Sequence, residues 1–242
     1  MYRSCPILLK IVLAAFIVLL FVSSGNETYA SGTLSVAPAY VDIEIKDGIS
    51  DPIEITYTNT ENSDISLELS AIDFHQKSPD GQIGFINRDS QNYNYSLASF
   101  LSFETNTVTI KARSSRKVEV TVINRSDLSP GGHYAAVVAR LAQDPTSTTV
   151  VSPALSTLVY LRKTGGERFH LTISDTTWPQ MPVFFNIPSN INIQFQNEGN
   201  VHVIPYGRVE VKDVFGRLTH KGIINESSLL VFPQSRRNVL VN

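Results

Sequence analysis

The chain has 242 residues, 17% of them charged and 42% hydrophobic, with a formal net charge of −2. This composition fits a globular protein and excludes a polybasic nucleic-acid binder or a chain too polar to fold. The length suffices for one large domain or two small ones, each with a real core.

Residues 1–30 read as a secretory signal peptide. Arg3 and Lys10 precede the uncharged run from Ile11 to Val22, and a polar stretch then leads to Thr28-Tyr29-Ala30. The run holds 12 residues, against the roughly 20 of a membrane-spanning helix, and Ala30 with Thr28 two places earlier suits cleavage before Ser31. The single cysteine, Cys5, lies inside this segment, so the mature chain is expected to lack a disulfide, a thiol nucleophile and a Cys-ligated zinc. Removing Arg3, Lys10 and Glu27 from 20 basic and 22 acidic residues leaves 18 and 21, a net charge of −3. Nothing in that balance draws the protein to an anionic surface. Membrane contact is expected only if the signal segment stays uncleaved or a C-terminal anchor is missing from this sequence.

From Leu34 onward the apolar period is two. Ile53, Ile55 and Tyr57 alternate with polar partners, as do Ile65, Leu67, Leu69 and Ala71, and later Val118, Val120 and Val122. These are half-buried strands, separated by turn clusters such as Asn62-Ser63-Asp64 and Pro79-Asp80-Gly81. Many short strands without alternating long helices predict an all-β sandwich. Between Ser96 and Phe103 the spacing of Leu97, Phe100 and Leu101 predicts one or two helical turns, with Phe100 and Phe103 capping the core. Tyr93 and Tyr95, flanked by Asn and Gln, are the aromatics expected at the surface and the candidates for ligand contact.

Leu128-Ser129-Pro130-Gly131-Gly132-His133-Tyr134 reads as a tyrosine corner, in which the Tyr134 hydroxyl bonds back to the preceding backbone while Pro130 and Gly131 shape the turn. The strand that follows and the segment Ala154 to Leu161 are apolar on both faces, which predicts central positions or a covered edge. The β pattern stops at residues 164–167, a linker between a first sandwich at 31–163 and a second unit at 168–242. That second unit repeats the alternation at Ile191, Ile193 and Phe195, then at Val209 and Val211. Its 75 residues fall short of the roughly 100 of a seven-stranded sandwich, so the second sandwich is expected to be incomplete, either as a reduced fold or as a truncated product. Trp178, beside Pro179 and Pro182, is expected to pack between the two units.

The five histidines show no helical metal spacing, and neither a nucleophile elbow nor a phosphate-cradling loop occurs, so no metal, cofactor or catalytic residue is expected and the protein is read as a non-enzyme. Residues Leu34 to Leu141 resemble the N-terminal domain of WxL-interacting proteins, through Leu34-Ser35-Val36-Ala37-Pro38, the strand Ile53 to Asn59, Leu67 to Phe74 with Asp80-Gly81, and Pro130 to Ala136. Asn197-Glu198-Gly199-Asn200, Gly207 to Gly216 and Phe232 to Arg236 are similar to the second Ig-like domain of such proteins. The resemblance implies an exported protein of a bacterial cell envelope or exterior, made of tandem immunoglobulin-like β-sandwiches, that binds peptidoglycan or a cell-surface protein. The two-domain plan also resembles periplasmic pilus chaperones, which bind subunit strands by β-strand addition. Their function needs a basic pair at the interdomain cleft, yet Leu155 to Leu158 lacks Lys and Ser35 to Tyr40 lacks Arg, so this is the alternative reading. N-terminal sequencing of exported material should give Ser31 as the first residue; Met1 recovered in a membrane fraction would instead make residues 11–22 an anchor.

Overall fold

The computed structural model describes residues 34–46, 48, 50–86, 93–142, 154–177 and 191–241. The signal segment with Cys5, and the stretch holding Trp178, Pro179 and Pro182, lie outside the described residues. The fold is all-β, with tandem immunoglobulin-like sandwich units.

The first unit has two facing sheets. One contains β1 (Leu34–Ala37), β3 (Ile53–Asn59), β8 (Ser115–Val122) and β6 (Leu101–Phe103), in that order. The other runs β2 (Tyr40–Ile45), β10 (Ala154–Lys163), β9 (Gly131–Leu141), β4 (Ile65–Gln76) and β5 (Ile83–Phe85), with β7 (Thr107–Ile110) also on β4. The chain thus changes sheets at Pro38 and Ala39: β1 is antiparallel to β3, whereas β2 lies parallel to β10.

Alternation decides which side chains enter the core. Ile55, Tyr57, Leu67, Val120, Val137, Val159 and Leu161 fill the space between the sheets, while intervening residues face outward. Strand β9 is buried along nearly its whole length because β10 and β4 pair with its two edges and side chains cover both faces. The expected central position is therefore observed. The expected helical segment is a single 3₁₀ turn, Ala98–Phe100, and the chain then enters β6. Asp73 on β4 sets this start: its Oδ1 accepts hydrogen bonds from Leu97 N and Ala98 N, both at 2.7 Å. Phe100 is buried and Phe103 partly buried against the same core.

The second unit forms one five-stranded antiparallel sheet among the described residues, in the order β11 (Leu171–Thr177), β12 (Ile191–Asn197), β15 (Ser235–Val241), β14 (Leu218–Ile224) and β13 (Gly207–Lys212). Ile191, Ile193, Phe195, Val231 and Val239 form its core.

Both units use a buried asparagine at the end of a core strand. Asn59 Nδ2 donates to Ser63 O at 2.8 Å and Oδ1 accepts from Glu61 N at 2.9 Å. Asn197 Nδ2 donates to Val201 O at 2.8 Å and Val231 O at 2.9 Å, while Oδ1 accepts from Gly199 N at 2.9 Å. An amide carries both donors and an acceptor, so one side chain satisfies a turn that the sheet ladders leave unpaired.

Tyr57 breaks this rule of satisfaction. Its side chain is fully buried, and its hydroxyl has no hydrogen-bond partner among the described residues. Burial pushes the hydroxyl up to about 12, from an ordinary value of 10.0. The neutral phenol therefore favours the folded state fully below pH 10, and that contribution is lost as pH rises towards 12. Tyr57→Phe keeps the ring and removes the desolvated hydroxyl. It should raise the urea midpoint, by roughly 1 kcal/mol of stability, and flatten the decline of stability between pH 10 and 12.

Candidate functional site

Two adjoining features stand out: an aromatic junction between the units and a half-covered strand edge. The junction grows on the outer face of the β4–β9–β10 layer, where Phe74, Tyr134, Ala136, Val138 and Tyr160 alternate with the core residues of the same strands. Phe232, from the loop between β14 and β15, packs among them. Its ring stands edge-on to Tyr134 at 4.8 Å, Tyr160 at 5.6 Å and Phe74 at 5.8 Å between centroids, the arrangement that ring quadrupoles favour.

Hydrogen bonds fix the same junction. Tyr134 lies 3.2 Å from His202 Nδ1 through its hydroxyl, and His202 Nε2 lies 3.1 Å from Asp42 Oδ2 on β2. A carboxylate only accepts, so His202 Nε2 donates to Asp42 Oδ2, and Nδ1 is the ring nitrogen that meets the Tyr134 hydroxyl. Burial holds that hydroxyl protonated well above the usual tyrosine range. Nearby, Gly132 N donates to Asn200 O at 2.7 Å, and Asn200 Nδ2 donates to Gly166 O at 3.0 Å. A Cβ at Gly131 would come within 3.0 Å of Asn200, and one at Gly132 within 2.2 Å of the Tyr134 hydroxyl. At the opposite end, the β4–β5 hairpin docks on β15, where Asn238 N donates to Pro79 O at 2.8 Å and Arg237 lies over Gly81.

This geometry corrects the tyrosine-corner reading. Pro130, Gly131 and Tyr134 do sit at the entry to β9, with Gly131 at φ 126°. The Tyr134 hydroxyl, however, turns outward to a histidine of the second unit instead of back to the corner backbone. The short cross-link at the corner is His133, whose ring nitrogens lie 2.9 Å from Ser96 O and 2.8 Å from Ser129 O; burial lowers its pKa.

Tyr93 and Tyr95 also differ from expectation, being half-buried. Tyr93 donates its hydroxyl to Phe74 O at 3.0 Å, and burial raises its pKa. The Tyr95 ring packs against Tyr93 at 5.7 Å and Tyr134 at 6.3 Å. Both rings pack onto the junction. Among the described residues, no three ligating side chains gather to hold a metal.

The edge belongs to β10. Strand β2 pairs with it only from Leu158 to Lys163, whereas β9 pairs with it from Ala154 onward. Leu158 N donates to Ala39 O at 3.0 Å, so the backbone groups of Leu158 point towards β2. Successive residues alternate in direction, and those of Ser156 and Ala154 therefore point to the same edge, ahead of the point where β2 begins. Among the described residues no strand pairs with them there. Thr157 closes the boundary, donating its hydroxyl to Pro38 O at 2.8 Å.

No family model and no curated protein matches this chain. Among solved structures it is similar to the class 5 fimbriae chaperone CfaA, with a TM-score of 0.51 and 12% identity over 84% of this chain and 83% of that one. It is also similar to a chain in a chaperone–tip adhesin complex of CFA/I fimbriae biogenesis, with a TM-score of 0.50 and 11% identity over 85% and 84%. At such identities the likeness establishes the fold. It also overturns the resemblance to WxL-interacting proteins, and with it peptidoglycan or a cell-surface protein as the partner, because the two structures just described are a fimbrial chaperone and a chain of a chaperone–adhesin complex. Export to the cell envelope agrees with these neighbours, whereas a wall or extracellular location does not.

The Tyr134–His202 contact can be measured directly. In a double-mutant cycle with Tyr134→Phe and His202→Phe, the two changes should be non-additive by about 0.5–1.5 kcal/mol in urea unfolding. Strict additivity would mean that the hydroxyl and the imidazole do not bond.

Proposed function

We propose that this chain is a periplasmic, chaperone-type protein that acts by binding and not by catalysis, holding an unpaired strand of an exported subunit on the open edge of β10. The observation that carries this reading is the direction of the Ala154 and Ser156 backbone groups, which face away from β9 with no strand paired to them among the described residues. Unpaired strand edges are templates for another chain, and β-strand addition obtains affinity from main-chain hydrogen bonds and specificity from alternate side chains. The likeness to fimbrial chaperones supports the choice over other edge-binding functions. In this reading residues 31–163 carry the receiving edge, and residues 168–242 brace its outer face through Phe232 and His202.

Ser156→Pro tests it. Proline removes the outward N–H but is tolerated at a sheet edge, so the unfolding midpoint should change little. Capture of a subunit by the exported chain, read by co-purification from an envelope extract in which the subunit is co-expressed, should fall at least tenfold. Undiminished capture by a folded Ser156→Pro variant would refute the assignment of this edge.

A further inference from the structure

We propose that His133 is a proton-operated clamp on the turn ahead of β9: its charged ring ties Ser96 and Ser129 together, whereas its neutral ring holds Ser96 alone. The inference is independent of the strand-receiving reading and concerns the turn that meets the second unit.

His133 lies near the start of β9, opposite Leu161 on β10, and is buried. Its Nδ1 is 2.9 Å from Ser96 O and its Nε2 is 2.8 Å from Ser129 O. A carbonyl oxygen only accepts, and a neutral imidazole carries one N–H. The neutral ring can therefore bond one of the two oxygens, and its other nitrogen turns a lone pair towards the second. Only the imidazolium, a donor at both nitrogens, satisfies the arrangement as it stands.

The charges around the ring act in opposite directions. Asp73 on β4 favours its positive charge and Lys163 on β10 opposes it. Asp73 is engaged by Ser96 Oγ at 2.5 Å and by Leu97 N and Ala98 N, and Lys163 Nζ donates to Leu128 O at 2.5 Å. On the loop before Ser129, Arg125 and Asp127 pair with each other. Beside Ser96, burial keeps Tyr93 and Tyr95 protonated above the usual tyrosine range, and on the other face of β9 Tyr134 meets His202. Burial is the largest influence on His133 and lowers its pKa from the ordinary 6.5. The folded protein thus holds a neutral ring at neutral pH. Its contribution to stability is full above the unfolded pKa and is lost as pH falls through the folded one. Acid therefore tightens the turn while weakening the fold as a whole, because the second bond returns less than the buried charge costs.

The two ends of the clamp are not equally held. Ser96 N donates to Tyr93 O at 3.1 Å, Ser96 Oγ donates to Asp73, and the residue bridges Tyr134. Ser129 is exposed, so its carbonyl can turn to water when Nε2 loses its proton. Lys163 keeps Leu128 in place, and the change falls on Ser129 and the residues after it. That turn meets the second unit, where Gly132 N donates to Asn200 O at 2.7 Å and Asn200 Nδ2 to Pro130 O at 3.5 Å.

The test is an NMR titration of the exported chain between about pH 8 and pH 5, with long-range proton–nitrogen spectra to distinguish protonated from bare ring nitrogens. His133 should be protonated at Nδ1 alone at the upper end and at both nitrogens at the lower. The Ser129 carbonyl carbon and the Gly131 and Gly132 amides should move with the same midpoint as the ring, while the urea midpoint falls. His202→Gln should leave these movements in place, and His133→Gln, which holds one carbonyl at any pH, should abolish them. A ring that keeps one protonation state throughout, or a neutral ring protonated at Nε2, would overturn the inference. So would a Ser129 carbonyl that stays still while the ring titrates, or movements that vanish in His202→Gln. If His133→Gln does not fold, the unsubstituted chain and His202→Gln decide the matter alone, since comparing the ring with Ser129 needs no change at position 133.

Discussion

The crossing of the first strand from one sheet to the other governs the functional geometry of this protein. By leaving β3 after Ala37 and joining β10 at Leu158, the chain closes the sandwich at one end and stops short at the other. A longer β2, or one beginning four residues earlier in register, would pair the whole of β10 and abolish the free edge. The register of this one parallel pair leaves Ala154 and Ser156 without a paired strand on that side among the described residues, which is what the proposed strand-receiving role requires. Thr157 and Leu158 hold that register by bonding to the carbonyls of Pro38 and Ala39.

The outer face of the same layer would be a liability if left bare. Phe74, Tyr134 and Tyr160 form a contiguous aromatic surface of the kind that soluble proteins seldom expose. The second unit covers it with Phe232 and anchors the cover with His202, Asn200 and the hairpin contacts at Pro79 and Gly81. Polar and apolar contacts have different roles here. The rings remove surface from water without specifying one arrangement, whereas the Tyr134–His202–Asp42 chain is directional and is satisfied in one orientation.

The all-β class, the strand positions and the central place of β9 were legible in the sequence, because period-two alternation and an apolar run on both faces are local signals. The 3₁₀ turn at Ala98 was only half legible: the spacing of Leu97 and Phe100 signalled a turn, but its start is fixed by Asp73, more than twenty residues away in the chain. The outward bond of Tyr134 had no local signal at all, since its partner His202 is 68 residues distant. Asn and Gln around Tyr93 and Tyr95 suggested exposure, yet the rings fold back onto Phe74 and Tyr134. The resemblance to WxL-interacting proteins rested on turn and core positions, which many immunoglobulin-like sandwiches share for packing reasons, and such positions carry little information about partners.

The burial of Phe232 against the first sandwich reaches beyond the junction. That phenylalanine sits on the loop leading into β15, and β15 pairs with both β12 and β14. Peeling the second sheet away would strip Phe74, Tyr134 and Tyr160 of their cover at the same moment as it unseated β15. Partial unfolding confined to the second unit is thereby made costly, so the unfolding of the two units should be coupled despite their separate cores.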